Sequence, residues 1–182
     1  MVRGHRFLLL LLAGCACGAS TAGACAEGLL GAKTPASPTA PAGAAPTASN
    51  LATAVDPDSP TARVRPFYAD GTDLALADRD HFVDPARTVL EKNELLKKSG
   101  QGDCLDQNMP LDQVPYDKAA LEKTFKSLES ISGDQARVVV AFVEGSEPHR
   151  LEWKLKKVEG TWKITDLLSV TGEWALSQYQ CE

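Results

Sequence analysis

The chain has 182 residues, 43% of them hydrophobic and 6% aromatic, and a formal net charge of −5. That length admits one compact domain of about 120 residues behind an N-terminal leader and linker, not two domains. The acidic balance, with no basic patch interleaved with aromatics, excludes nucleic acid as an expected partner.

The chain opens with Arg3, His5 and Arg6, followed by Phe7 and five leucines, the last of which begins Leu12-Ala13-Gly14-Cys15. A basic head, an apolar run too short to span a bilayer and a small-residue cleavage site make an export signal, not a transmembrane helix. Leu-Ala-Gly-Cys resembles the lipobox of bacterial lipoproteins, whose cysteine is lipidated and becomes the mature N-terminus. Residues 1–14 are therefore read as a lipoprotein signal peptide and Cys15 as the lipidation site. The alternative is ordinary secretion with cleavage after Ala26, because Ala24-Cys25-Ala26 also fits the small-residue rule. The non-acidic Ala16 implies, by the same resemblance, an outer-membrane anchor facing the periplasm of a Gram-negative host.

Residues 15–62 are rich in Ala, Pro, Thr, Gly and Ser, with almost no large apolar side chains. Such a segment cannot bury enough surface to offset its ordering entropy, so a disordered tether is expected, with one folded domain over residues 63–182. The first part of that domain, Arg63–Val83, reads as one helix or two short ones. Asp84-Pro85 then offers a cap and a first helical residue for a helix that runs to about Lys98 and stops at Gly100. A further helix is predicted over Asp117–Ser132, because Leu121, Phe125, Leu128 and Ile131 share a helical face and Gly133 ends it.

Three antiparallel strands are expected from Arg137 to Val170. Arg137–Val143 is apolar on both faces, and Glu144–Arg150 reads as a charged loop that contains His149. In Leu151–Lys157, Leu151, Trp153 and Leu155 alternate with Glu152, Lys154 and Lys156, which puts one face on a core. Glu159-Gly160 makes the turn, so Lys157 should pair with Trp162, Leu155 with Ile164, and Trp153 with Asp166. Helices followed by an antiparallel sheet give the α+β class.

Of the five cysteines, Cys104 and Cys181 are the two in the folded part. An exported chain favours their pairing, worth around 4 kcal/mol in the chain-entropy model. The polar loop Ser99–Pro115 is the most function-like segment. Its aspartates Asp103, Asp106 and Asp112 match no calcium-loop spacing, so no metal is assigned. His81 lies among Asp78, Asp80 and Asp84, and reads as a charged surface turn in preference to an acid/base pair. Phe142, Trp153 and Trp162 are core candidates that would also line a ligand cavity, with Asp166 at its edge as the candidate acid or base. No G-x-S-x-G, H-E-x-x-H or phosphate-binding glycine loop is present, and no cofactor is assigned.

With N-terminal helices, a curved antiparallel sheet and the run Gly160-Thr161-Trp162-Lys163-Ile164-Thr165-Asp166-Leu167, the chain resembles the nuclear-transport-factor-2-like superfamily. Within it, the chain is most similar to the bacterial lipoprotein domains of the domain-of-unknown-function family numbered 3828, which begin near a Phe-Tyr pair, here Phe67-Tyr68. The resemblance implies a cone-like α+β domain and carries over no catalytic residues. It points to a non-enzymatic, membrane-anchored envelope lipoprotein that binds a protein or small ligand in the periplasm. A pocket-type enzyme or small-molecule binder is one alternative. An immunity or inhibitor protein acting through the loop around Cys104 is the other.

Overall fold

A computed structural model describes residues 46–182. The signal segment, Cys15, Cys17, Cys25 and most of the expected tether lie outside the described residues. Among the described residues, no helix is long and apolar enough to cross a membrane.

The fold is α+β. Strand β1 (Thr47–Asn50) precedes the helices α1 (Pro60–Val64), α2 (Pro66–Ala69), α3 (Ala86–Lys98) and α4 (Lys118–Thr124). Five strands follow: β2 (Lys126–Ser132), β3 (Gln135–Glu144), β4 (Glu147–Val158), β5 (Thr161–Ser169) and β6 (Trp174–Ala175). They form one six-stranded sheet in the order β1-β2-β3-β4-β5-β6, with every neighbouring pair antiparallel.

The folded unit begins before Arg63, earlier than expected. Thr47–Asn50 pairs with Lys126–Glu129, and Ser59 caps α1 by accepting the N–H of Ala62, with Pro60 at the first helical position. Ser-Pro is a cap signal that the low-complexity composition hid. Helix α3 ends at Lys98 as expected and buries Ala86, Val89 and Leu90, but it begins at Ala86 with Pro85 in the cap position; Asp84 lies one residue earlier and accepts from the N–H and hydroxyl of Thr88.

The helix predicted over Asp117–Ser132 is half wrong. Asp117 does cap α4, accepting from the N–H groups of Ala119 and Ala120. The helix stops at Thr124, and Lys126–Ser132 is a strand paired along β3. Leu128, expected on the buried helical face, lies 43% exposed. The seven-residue loop expected over Glu144–Arg150 is also corrected: Gly145 and Ser146 alone turn the chain, and Glu147–Arg150 belongs to β4.

The β4–β5 register holds as predicted from Val158↔Thr161 to Leu155↔Ile164. A bulge then inserts Thr165, so Asp166 faces Lys154 and Trp153 faces Leu167. The extra residue shifts side-chain parity, as a bulge must. On the inner face, Val138, Val140, Leu151, Trp153, Leu155 and Ile164 are all buried. Phe67 and Tyr68 of α2 fill the space over them. Trp153 has 0% exposure, stacks on Phe67 at 4.8 Å and donates its indole N–H to the Tyr68 hydroxyl at 2.9 Å.

Candidate functional site

The sequence candidates do not converge on one cavity. Phe142 and Trp153 are buried core, each packed near Tyr68 with ring centroids at 6.3 Å. Burial pushes the Tyr68 phenol far above its ordinary range; the bond from Trp153 opposes this and the nearby Asp112 charge adds to it. Trp162 borders a separate cleft of about 520 Å³ together with Glu129, and the Lys157 ammonium lies 5.4 Å from its ring centroid. Asp166 sits beyond the bulge. Its carboxylate accepts from the N–H groups of Leu167 and Ser177, each at 3.0 Å, and from the Ser177 hydroxyl at 2.8 Å. Those bonds fasten the C-terminal segment to β5. His81 is exposed at the end of the short 3₁₀ turn Arg79–His81, and Asp78 spends one oxygen on the Asp80 N–H.

The loop after α3 is the better-built polar region. The side chain of Asn93, buried on α3, accepts from the N–H groups of Cys104 and Leu105 at 2.7 and 3.0 Å. Cys104 is bonded to Cys181 with a Cα–Cα distance of 5.5 Å, as the sequence predicts. The loop aspartates separate to different partners. Asp103 meets Lys97 at 3.4 Å. Asp106 accepts from the Tyr179 hydroxyl at 2.8 Å and from Gln113 at 3.1 Å. Burial, then the bond to the negative Asp106, push the Tyr179 phenol up to about 12.

Asp112 makes the contact that sequence reading missed. A buried 3₁₀ turn, Met109–Leu111, delivers it in the left-handed backbone region at φ 57°, which Asp tolerates better than most residues. One carboxylate oxygen lies 2.9 Å from His149 Nδ1, and the other accepts the Trp174 indole N–H at 3.1 Å. The Asp112 and His149 side chains are only 5% and 11% exposed. The imidazole stacks on Phe142 at 5.1 Å with 17° between the rings. Gly172 completes the enclosure, because a Cβ there would lie 2.9 Å from the Trp174 ring and 3.0 Å from Asp112.

Three elements thus meet at one carboxylate: the disulfide-bearing loop, β4 and the turn into β6. A carboxylate on Nδ1 fixes the imidazole tautomer and leaves Nε2 for proton exchange, the arrangement used in acid/base pairs. Here both carboxylate oxygens are taken and the ring is stacked, which makes the group a latch for the loop. His149 was legible in principle. It lies two and four residues before Leu151 and Trp153, so strand parity already points it inward. No family model matches this chain, and no curated protein or solved structure matches it either.

Proposed function

We propose that the chain is a lipid-anchored protein of the bacterial cell envelope whose folded domain binds a protein or small ligand and performs no chemistry of its own. The observation that supports binding over catalysis is the filled inner face, where Trp153 is fully buried between Phe67 and Tyr68. In the superfamily that the sequence resembles, enzymes work in a cone-shaped pocket on that side of the sheet. With aromatic rings in that space, ligands meet the domain at its surface. Open clefts of about 420 and 520 Å³ both border the C-terminal half of β2 and the β4–β5 hairpin.

The anchor rests on Leu12-Ala13-Gly14-Cys15 following the leucine run. By the lipoprotein reading, the acyl chains hold the protein in the outer membrane with the domain in the periplasm. Fractionation of cells expressing Cys15→Ser tests this. The substituted protein should leave the membrane fraction, and continued membrane residence refutes lipidation at that residue.

A further inference from the structure

The outer face of the sheet carries a charge opposite in sign to that of the chain. On β2, Lys126 and Leu128 flank the buried Ser127, and on β3, Arg137 lies between the buried Ala136 and Val138. On β4, Arg150, Lys154 and Lys156 alternate with the buried Leu151, Trp153 and Leu155. The register sets them in rows: Lys126 with Ala141 and Arg150, Leu128 with Val139 and Glu152, Ser130 with Arg137 and Lys154. Lys156 follows in the next row, opposite Gln135. Five exposed cations thus share the outer face of these strands with one carboxylate, Glu152, which is half-buried and meets Arg137 at 3.4 Å. Asp166, opposite Lys154 on β5, is buried and bonded to Ser177. The whole chain has a net charge of −5, and the stretch between α2 and α3 alone holds Asp70, Asp73, Asp78, Asp80 and Asp84.

Mixed charges suffice for solubility, whereas a face of one sign creates a directed field. Arg137, Lys154 and Lys156 also border the open cleft of about 420 Å³, beside the hydroxyl residues Ser130, Ser132 and Thr165. Guanidinium, ammonium and hydroxyl donors together suit phosphate oxygens. Leu128, 43% exposed, and Val170, 51% exposed and just past β5 beside Arg150, place apolar contact among the cations. Positive charge next to exposed apolar side chains is the composition of surfaces that rest in a bilayer interface. Strand β1 pairs with β2, so the chain leading back to Cys15 leaves from the strand beside this face. We infer that the outer face of β2–β4 docks on an anionic phospholipid surface, with lipid phosphates at Arg137, Lys154 and Lys156. The inference goes beyond the binding of a protein or small ligand, and takes from the anchor reading only the nearness of a membrane.

Sedimentation with vesicles tests it. Every helix, strand and disulfide described lies from Thr47 onward, so the chain Ala16–Glu182 keeps the folded unit without the leucine run or Cys15. It should bind vesicles of equimolar phosphatidylcholine and phosphatidylglycerol and ignore pure phosphatidylcholine. Raising salt from about 0.1 M to about 1 M should release it, because the screening length falls from about 10 Å to about 3 Å. Lys154→Gln combined with Lys156→Gln, both at exposed positions, should weaken binding about 25-fold, at about fivefold per cation, with an unchanged unfolding curve. Lys118→Gln combined with Lys123→Gln makes the same charge change on α4 and should leave binding unchanged. Equal binding to both vesicle types, binding to neither, or equal loss in the two double variants overturns the docking face. Docking of this kind is reversed by salt and a lipid anchor is not. Cys15→Ser protein that stays with cell membranes through a high-salt wash therefore counts against the anchor, and failure to bind anionic vesicles counts against the face alone.

Discussion

Trp153 at the centre of β4 is held by rings on two sides and has no exposed surface, whereas Cys104, Asp106 and Asp112 in the loop after α3 are held by one covalent bond and a few directed polar contacts. The first region is stabilised by apolar area removed from water, spread over many contacts. The second also buries Leu105, Met109 and Leu111, but the placement of Cys104, Asp106 and Asp112 depends on individual atoms: one sulfur, two carboxylate oxygens, one buried amide. Volume changes should therefore dominate the first region and the loss of single partners the second.

The largest effect should come from Trp153→Ala, at about 4 kcal/mol of lost stability by urea denaturation. Trp153→Phe, which keeps a ring in place, should cost clearly less; equal costs for the two would deny that volume dominates. Cys181→Ser should cost about 4 kcal/mol under oxidising conditions, and reducing agent should abolish the difference from the unsubstituted protein. Asp112→Ala leaves the buried His149 and Trp174 donors without an acceptor and should cost about 2 kcal/mol. Asp112→Asn, which retains an acceptor, should cost less, and if the Ala and Asn variants melt alike the latch is not made by these bonds.

The smallest effect is alkaline. The Tyr179 phenol is raised to about 12 in the folded chain, against about 10 when unfolded. Above pH ~10 the unfolded chain releases this proton first, so stability is present below that pH and declines as pH approaches about 12. Burial of Tyr68 acts in the same direction. Tyr179→Phe should flatten part of the decline in unfolding free energy between pH ~10 and ~12, and an unchanged slope would remove Tyr179 from the account.

The α+β class, the C-terminal end of α3, the Cys104–Cys181 bond and the β4–β5 register up to Ile164 were legible because each is dictated by local pattern or by the few cysteines available in the folded part. β2 was not, for a physical reason. Its inward positions after Phe125 are Ser127, Glu129 and Ile131, and two polar residues erase the apolar alternation. Partners far along the chain satisfy both: the Ser49 hydroxyl meets Ser127 at 2.8 Å, while Thr61 donates its N–H and hydroxyl to Glu129 at 2.7 and 2.6 Å. The remaining apolar residues happened to fall at helical spacing. The bulge at Thr165 was invisible for a similar reason: no Gly or break in the local pattern marks it, and the Asp166 side chain beyond it meets Ser177, eleven residues on. The Asp112–His149 contact joins residues 37 apart in sequence and was hidden by placing His149 in a loop instead of on the inner face of β4.

The bond between Cys104 and Cys181 encloses α4 and every strand from β2 to β6 in a single covalent ring. A protease that nicks any one peptide bond inside that ring opens the circle without releasing a fragment. The domain can therefore be clipped once at an exposed turn, such as Gly145-Ser146, and keep its full mass on a non-reducing gel, separating into two pieces only when thiol is added.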